Sequence, residues 1–191
     1  RKRMRKLLDF REDSHYRFLP CEVIAMSSNQ YHHAVTIDRG SVDGVLRGMP
    51  LAGYRGIVGR VTQVFPSSSR VILISNRSVP VSCRNRRSRV VGIRRWDRGN
   101  LFTLDYVGNE EDVMPGDTLV TSGLGKVFPK GFPVGVVFQV TQEEGRISRN
   151  VRVVSMADLG TLEELFVIIS GEKWNYRQVS DEIEEIRSEG E

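Results

Sequence analysis

Hydrophobic and polar residues alternate along most of the chain between residues 21 and 170. Val35 and Ile37 alternate with polar neighbours, and the same two-residue spacing recurs in three further segments. Those segments are residues 102–106, 134–140 and 151–153. Successive side chains of a strand point to opposite faces, so this period predicts β-strands with one face in a core. The pattern therefore predicts an all-β body.

Turn-forming residues divide this body into about a dozen short strands, an arrangement typical of antiparallel barrels and sandwiches. Glycine, asparagine and proline favour tight turns, and they recur between the apolar segments. The turn signals are Asp43-Gly44, Pro66 with three serines, Asn76, Arg98-Gly99-Asn100, Gly108-Asn109, Pro115-Gly116 and Glu144-Gly145. A single closed barrel with that many strands would be too wide for side chains to fill. We therefore predict two small antiparallel β-barrel domains.

The two ends of the chain differ from this body. Residues 1–19 are charged, with apolar residues at a loosely helical spacing, and predict the end of an N-terminal coiled-coil helix that stops before Pro20. Residues 171–191 are polar, but a few apolar side chains among them are spaced as on one face of a weak helix. These apolar residues are Val179, Ile183 and Ile186. Since isolated helices of this length are marginal in water, we predict a weakly helical or disordered tail.

Size and composition agree with a globular body. The chain has 191 residues, of which 39% are hydrophobic and 27% charged. It begins at Arg1 within a charged segment, so we expect a fragment that lacks its own N-terminus and any anchor there. Cys21 and Cys83 are too few for a disulfide scaffold or a zinc site. We predict that both are small apolar residues in strands and leave open whether they pair.

The net charge of +4 is distributed unevenly. Residues 171–191 hold seven acidic and three basic side chains and carry −4, which leaves +8 on residues 1–170. Seven arginines lie between positions 84 and 98, around Trp96. Small barrels bind single-stranded nucleic acid through a cationic groove with stacking aromatic rings. Single-stranded nucleic-acid binding is therefore the alternative function, although the aromatic residues are not interleaved along one strand face.

The motifs of common enzymes are incomplete in this sequence. The three histidines, His15, His32 and His33, do not have a metal-ligand spacing. Gly116-Asp117-Thr118 is faintly similar to the Gly-Asp-Ser of trypsin-like proteases, but threonine stands in place of the nucleophile. Ser122 lacks the Gly-x-Ser-x-Gly motif, because valine occupies position 120. We predict no catalytic, cofactor-binding or metal-binding residues.

Residues 121–135 form the most distinctive segment, with four glycines and two prolines between two β-rich runs. Gly125-Lys126 suggests a phosphate-binding loop, but a Walker motif needs glycine at position 120 and Ser or Thr at 127, where this chain has valines. Glycine permits backbone angles that other residues disfavour, and proline fixes φ. The segment therefore predicts a shaped connector with Val127, Phe128 and Phe132 as apolar anchors.

Four blocks, in order, resemble the signature of the MreC family of bacterial rod-shape-determining proteins. They are residues 37–50, residues 56–61, residues 116–135, and the closing block that contains Ala157-Asp158-Leu159 and Leu162-Glu163. The resemblance covers roughly residues 20–170. The signature residues, to which we assign structural roles, are Gly40, Gly44, Gly48, Gly59, Gly116, Asp117, Thr121, Ser122, Gly123, Gly125, Phe128, Pro129, Gly131 and Gly135.

The resemblance implies a non-catalytic scaffold of the bacterial cell-elongation machinery that needs no cofactor. It implies a location at the periplasmic, extracytoplasmic face of the cytoplasmic membrane, with an N-terminal transmembrane helix that this chain lacks. The implied partners are further copies of itself as a dimer or filament, a class-B penicillin-binding protein that cross-links peptidoglycan, and MreD with other elongasome membrane proteins. Nucleic acid is not an expected partner.

Domain boundaries follow from the same resemblance, because the second barrel of family members is inserted between strands of the first. We expect residues 20–66 with 136–170 to form the first barrel and residues 67–135 the second. Residues 1–19 would then be the end of the coiled coil and residues 171–191 the acidic tail. We further predict self-association through the barrels and the N-terminal helix. The synthase would bind an apolar β surface rather than the seven arginines between positions 84 and 98, which we call the arginine run.

Overall fold

The computed structural model describes residues 16–27, 33–171 and 174–175, and within them thirteen strands. The strands are β1 (Arg17–Met26), β2 (Ala34–Ile37), β3 (Pro50–Gly53), β4 (Gly56–Val64), β5 (Ser69–Leu73), β6 (Val81–Asn85), β7 (Val91–Arg98), β8 (Leu101–Asp105), β9 (Thr118–Thr121), β10 (Pro133–Thr141), β11 (Asn150–Ser155), β12 (Glu164–Gly171) and β13 (Trp174–Asn175). A short 3₁₀ turn covers Ser41–Asp43. The predicted all-β fold with two small barrels is confirmed.

The first barrel has the strand order β1-β2-β5-β4-β3-β12, and β12 pairs back to β1 to close it. All its pairings are antiparallel, and the short strand β13 extends the sheet beside β12. Its centre is filled by aliphatic side chains that are almost fully buried, among them Ile37, Leu51, Val61 and Leu165. Ile37 and Val61 alternate with half-buried polar neighbours, as the sequence pattern predicts, whereas Leu51 lies between the buried Pro50 and Ala52.

The second barrel is a closed ring of six antiparallel strands, β10-β11-β8-β7-β6-β9. Its core contains Phe102, Leu104, Leu119 and Val153, each at most 1% exposed. The chain enters this barrel after β5 and returns to the first barrel at β12. The first barrel is therefore built from two segments that flank the second in sequence.

The expected domain boundaries misplace three strands. β10 and β11 were expected in the first barrel, but they pair with β9 and β8 in the second. β5 was expected in the second barrel, but it pairs with β2 and β4 in the first. Alternation predicts which face of a strand is buried and carries no information about its partner, so the sequence pattern could not place these strands.

The structure corrects part of what the sequence predicted for the N-terminal helix and the C-terminal tail. Residues 17–19 belong to β1 rather than to a helix, and Pro20 lies within this strand opposite Phe166. β2 pairs with β1 only from Val23 onward, so a proline at position 20 faces one paired neighbour and is tolerated. Gly171 and residues 174–175 are strand rather than polar tail. The remainder of the predicted helix and tail lies outside the described residues.

The predicted face of β10 is also wrong in part. Residues 134, 136, 138 and 140 were expected to share one buried face, but the pairing with β11 shifts between Val137 and Gln139. An earlier shift in the pairing with β9, between Pro133 and Gly135, places Val137 rather than Val136 in the core and leaves Phe138 41% exposed. The shift between Val137 and Gln139 then returns Val140 toward the core. Tyr106, expected to continue the alternation of β8, has a φ of 67° and is 68% exposed.

Within the residues that the structure describes, no helix is long and apolar enough to cross a membrane. Cys21 in β1 and Cys83 in β6 are buried and unpaired, as predicted for small apolar residues in strands. Burial raises the pKa of both thiols to about 12, so they remain protonated at neutral pH.

Candidate interaction surfaces and the barrel junction

The connector between β9 and β10 joins the two barrels through Phe132. This ring is fully buried and lies 5.0 Å from the ring of Tyr16 and 6.3 Å from that of Phe18, both in an edge-on geometry. The hydroxyl of Tyr16 donates a hydrogen bond to the carbonyl of Lys130 at 3.2 Å. Burial raises the pKa of Tyr16. An aromatic residue of the second barrel's connector is thus enclosed by the start of β1.

The aromatic contacts continue into the first barrel. Phe18 lies 6.2 Å from Phe166 of β12, and Phe166 lies 5.3 Å from Tyr54 in the turn between β3 and β4. The Tyr54 hydroxyl donates to the carboxylate of Glu164. We call Tyr16, Phe18, Phe132, Phe166 and Tyr54 the aromatic junction. Edge-on aromatic pairs add to the free energy of burial, so the junction fixes one barrel against the other.

Thr121 holds the connector in shape. Its backbone N–H donates to the carbonyl of Phe132 at 2.8 Å, and its carbonyl accepts from the N–H of Gly131 at 2.8 Å. Its hydroxyl accepts from the N–H of Phe132 at 2.9 Å and donates to the carbonyl of Pro129. Ser122 Oγ accepts from the N–H of Leu124 at 3.0 Å and bonds Ser82 Oγ. The Thr121 hydroxyl is engaged within the connector, and the Ser122 hydroxyl also bonds Ser82 of β6, so this geometry suits a connector of fixed shape.

The signature residues do not converge on one site. Gly40, Gly44, Gly48 and Gly59 lie in the first barrel, and the ten from Gly116 to Gly135 lie in the second. Phe128 and Pro129 are buried. Left-handed backbone angles occur at Gly44, Gly48, Gly116, Gly123, Gly125 and Gly131. Gly59 and Gly135 face neighbouring carbonyls too closely for a side chain.

Gly40 shows why glycine is needed at such a position. Its backbone passes the hairpin between β4 and β5, where the N–H of Ser41 donates to the carbonyl of Phe65 at 2.9 Å. A Cβ on Gly40 would lie 2.2 Å from that carbonyl oxygen and 2.6 Å from the carbonyl oxygen of Pro66. The hairpin and the turn after β2 can therefore meet only if residue 40 has no side chain.

Asp117 is the centre of a polar network in the second barrel. This side chain is 6% exposed and accepts from Asn85 Nδ2 at 2.6 Å, from Arg87 Nε at 2.7 Å and from the N–H of Met114 at 3.0 Å. Arg87 also forms a bidentate contact with Asp112, at 2.6 and 2.8 Å. The hydrogen bonds from Arg87, with those of Met114 and Asn85, hold the pKa of Asp117 at about 2.

This network predicts acid sensitivity. A carboxyl whose pKa falls on folding stabilises the protein above its unfolded pKa of about 3.9, and the contribution is lost as pH falls from there through the folded value near 2. Allowing for the partly exposed Arg87, we expect Asp117→Asn to lower the free energy of unfolding by about 1–2 kcal/mol at pH 7. Urea titrations at pH 7 and pH 2.5 should show the difference from the parent shrinking in acid.

Glu144→Gln changes an exposed residue outside the network and serves as the control. It should unfold like the parent at both pH values. If Asp117→Asn lowers the free energy of unfolding by the same amount at pH 7 and pH 2.5, the effect comes from altered packing and not from the charge of Asp117.

The arginine run is not one continuous cationic surface. Arg94 is fully buried in the second barrel, Arg87 is bound by Asp112 and Asp117, and Arg95 forms an ion pair with Asp105 at 2.8 Å. Trp96 donates to the carbonyl of Gly99 and lies 5.2 Å from the ring of His33. The described residues therefore do not form the stacking platform that the alternative function, nucleic-acid binding, would need, because strand alternation sends the neighbouring Arg94 and Arg95 to opposite faces.

Arg94 crosses the interior of the second barrel. Its guanidinium lies 3.5 Å from the ring centroid of Phe102 and donates to the carbonyl of Ile74, in the connection from the first barrel. Nε and Nη1 have no hydrogen-bond partner among the described residues. Burial lowers the pKa of Arg94 to about 9, which still leaves the group charged at neutral pH. The residue therefore acts as an internal link between the barrels.

The outside of the second barrel carries partly exposed apolar side chains on three adjacent strands. Val136 of β10 lies opposite Val154 of β11, which lies opposite Leu101 of β8. Val154 is 38% exposed and Phe138, beside this row, is 41% exposed. We call Leu101, Val136, Phe138 and Val154 the apolar face. A closed barrel presents no unpaired strand edge, so a protein partner must bind such a face through side chains.

A shallow cleft of about 340 Å³ lies near the junction. It is lined by the turn between β3 and β4 and by the chain that returns from the second barrel. The lining residues are Gly53, Tyr54, Arg55, Val58, Ala157, Asp158, Thr161, Leu162, Glu163 and Glu164. The closing signature block thus forms one wall of this cleft.

Little in the described part of the chain resembles a catalytic centre. No group of three or more His, Cys, Asp or Glu residues is placed to hold a metal among residues 16–27, 33–171 and 174–175. His33 contacts Trp96, and the other two histidines lie outside the described residues. Lys126 is exposed and has a left-handed backbone φ of 61°, in a loop without the spacing of a phosphate site.

Comparisons of the sequence with known proteins all match one family of cell shape-determining proteins. The sequence model of the family described as "Rod shape-determining protein MreC, barrel core" matches residues 23–169. The cell shape-determining protein MreC of Escherichia coli is 34% identical over 149 residues, which is 77% of this chain and 40% of that protein. The corresponding protein of Caulobacter vibrioides is 31% identical over 180 residues, which is 94% of this chain and 49% of that protein.

Solved structures share the fold. MreC from Pseudomonas aeruginosa superposes with a TM-score of 0.75 at 31% identity, covering 79% of this chain and 99% of that one. A structure described as the major periplasmic domain of the cell shape-determining filament MreC gives 0.68 at 22% identity, covering 83% and 98%. A complex between Penicillin-Binding Protein (PBP2) and MreC from Helicobacter pylori gives 0.61 at 17% identity, covering 80% and 98%. The last two likenesses show the fold alone.

Proposed function

Since this chain belongs to the MreC family of rod shape-determining proteins, we propose that it is a scaffold of the machinery that builds the bacterial cell wall during elongation. The observation that carries the proposal is the family match over residues 23–169, which includes most of both barrels. The scaffold acts by binding and has no catalytic role, and the engaged hydroxyls of Thr121 and Ser122 support this.

The chain spans less than half the length of the two curated relatives described above. Its partners and location are therefore part of the proposal. We place the barrels on the periplasmic side of the cytoplasmic membrane, as in the related periplasmic domain, with attachment to the membrane through a segment N-terminal to the barrels. MreD and other membrane proteins of the elongation machinery would meet the protein at that attachment.

A penicillin-binding protein is the partner that we propose for the barrels. The Helicobacter pylori relative of the same fold forms a complex with PBP2. In this chain the apolar face offers Phe138 and Val154 to solvent without a covering element among the described residues. A ligand that binds one conformation of a partner shifts the partner's population toward it. Binding to the apolar face would in this way favour an active conformation of the synthase.

We also propose self-association. A related domain is described as part of a filament, and we therefore propose that copies of this chain bind one another. Both barrels are closed, so copies would associate through faces and through the segment before residue 16 rather than by extending a sheet. That segment lies outside the described residues.

The placement of the synthase site predicts a specific loss of binding. Val154→Glu and Phe138→Glu put a carboxylate at the centre of the apolar face, and desolvating an unpaired charge is costly. We expect each variant to weaken binding to the cognate class-B penicillin-binding protein by roughly 30-fold or more, as for a residue that contributes at least 2 kcal/mol to an interface. Calorimetry or surface plasmon resonance with the purified synthase measures this.

Arg86→Glu and Arg89→Glu are matched controls, because both residues are exposed and lie in the turn between β6 and β7. They should retain parental affinity if the apolar face is the site. The reverse result, with binding lost in the arginine variants and kept in Val154→Glu, would move the synthase site to the arginine run and contradict the proposal. Circular dichroism confirms that each variant is folded.

A further inference from the structure

Arg94 is a buried cation that has no counter-ion in the described part of the chain. Its side chain has no exposed surface, although its neighbour Arg95 lies at the surface. The ion pairs among residues 16–27, 33–171 and 174–175 do not include Arg94. Burial lowers the pKa of Arg94 to about 9, and the nearby group that opposes this shift is the Cys83 thiol rather than a carboxylate. A unit charge is costly to bury without an opposite charge beside it.

Two contacts stabilise the Arg94 guanidinium, but neither brings a negative charge. Its central carbon lies 3.5 Å from the ring centroid of Phe102, and Nη2 donates to the carbonyl of Ile74. The Cys83 thiol does not supply the charge either, because burial raises its pKa to about 12 and keeps it protonated at neutral pH. At the same pH the guanidinium, with a pKa of about 9, is charged. The interior of the second barrel therefore holds an uncompensated positive charge.

Hydrogen-bond donors without acceptors lie around the same charge. Nε and Nη1 of Arg94 are shielded from solvent and have no acceptor among the residues that the structure describes. The hydroxyl of Ser75, in the turn after β5, is also buried and has no hydrogen-bond partner in that part of the chain. Because Ser75 follows Ile74, its Oγ lies no more than about 5 Å from the carbonyl oxygen that Nη2 of Arg94 binds. Buried polar groups are rarely left without a partner, so these donors indicate a bound acceptor.

Water and a small anion are the two acceptors to compare at this position. A buried water accepts hydrogen bonds and is common in protein interiors, but it is neutral and leaves the charge of Arg94 uncompensated. Large anions have no access, because Arg94, Ser75 and Phe102 are each at most 1% exposed. A monatomic anion such as chloride accepts hydrogen bonds from N–H and O–H groups and also supplies the missing charge. The electrostatic cost of burying Arg94 therefore favours an anion over water.

We infer that the interior of the second barrel binds a small monovalent anion, of the size of chloride, through Arg94 and Ser75. The anion accepts hydrogen bonds from the guanidinium and from the Ser75 hydroxyl, and it neutralises the buried charge. The same guanidinium binds the carbonyl of Ile74, in the connection from the first barrel, so the anion also stabilises this link between the barrels. This inference goes beyond the proposed function and does not depend on it.

Thermal unfolding of the 191-residue chain in chloride and in gluconate, at equal ionic strength, tests the inference. Gluconate is too large for an enclosed site, and a ligand that binds only the folded state raises the melting temperature with its concentration. We expect a rise of about 3 °C or more when chloride replaces gluconate. Arg94→Met should lose this rise, and Ser75→Ala should reduce it. Arg95→Met is the matched control and should keep it, because Arg95 is exposed and paired with Asp105.

Crystals of the parent chain grown in sodium bromide locate the ion without any variant. Bromide replaces chloride and scatters X-rays anomalously, so we expect an anomalous peak within hydrogen-bonding distance of the Arg94 guanidinium. A water peak there without anomalous signal, or bromide at surface arginines only, would overturn the inference. A chloride-dependent rise in melting temperature that is equal in the parent and in Arg94→Met would overturn it as well. If Arg94→Met does not fold, the bromide experiment alone decides.

Discussion

Phe132→Ala is expected to lower the free energy of unfolding by about 3–5 kcal/mol, the usual cost of truncating a buried phenylalanine. The Phe132 ring is fully buried and is enclosed by Tyr16 and Phe18 of the first barrel. Its removal leaves a cavity where the two barrels meet and deprives both rings of their partner. Urea unfolding followed by circular dichroism measures the loss, and the melting temperature should fall by roughly 10 °C.

Phe138→Ala is the matched control in the same barrel. Phe138 is 41% exposed and its ring contacts the guanidinium of Arg152 at 5.3 Å. Its truncation should cost less than about 1 kcal/mol, since exposed aromatic contacts contribute little. Equal stability losses in the two variants would show that the aromatic junction has no special role in holding the barrels together.

Gly40→Ala is expected to have the second largest effect, a loss of about 3 kcal/mol, at the upper end of the range for overpacked sites. The added methyl group would overlap the carbonyl oxygens of Phe65 and Pro66, which are backbone atoms and cannot rotate away. The turn after β2 must then separate from the hairpin between β4 and β5. Hydrogen bonds from Ser41 and Val42 to those carbonyls are weakened as well. Differential scanning calorimetry measures the change.

Gly160→Ala provides the comparison at a glycine with space around it. A Cβ at this position would lie 3.5 Å from the carboxylate of Asp158 and would meet no backbone atom within van der Waals distance. We expect a change within about 0.5 kcal/mol, as for ordinary surface substitutions. If both alanine variants unfold at the parental temperature, close approach of the backbone is not the reason for glycine at position 40.

The sequence predicts the elements of this fold well, because strand formation depends on local alternation. Residues 35–37 and 151–153 form strands in the predicted phase. Alternation fails where geometry changes within a strand: the irregularity between Pro133 and Gly135 inverts the phase of β10, so that Val137 faces inward and Phe138 faces outward. A bulge adds one residue to one strand, and its position depends on the partner strand.

The charged and aromatic sites were harder to predict. Phe128 and Phe132 were expected to be apolar anchors, and both are buried. The partners of Phe132, which are Tyr16 and Phe18, were missed, because a charged segment with apolar residues at helical spacing predicted helix up to residue 19. The environment of each arginine could not be predicted either. Arg94 and Arg95 are neighbours in sequence, yet Arg94 is buried, whereas Arg95 is exposed and paired with Asp105. Such outcomes depend on tertiary neighbours.

The second barrel is inserted in the sequence between the two segments that form the first barrel. This arrangement determines the order in which the chain can fold as it is synthesised. β6 to β11 are contiguous, so this barrel is complete once residue 155 has been made. β1 must wait for β12, where Cys21 pairs with Leu165, 144 positions further along. Pairings at such separations form slowly. The nascent N-terminal sheet therefore remains open, with unpaired edges, until the last strands leave the ribosome, and this interval is when the protein is most exposed to misassembly.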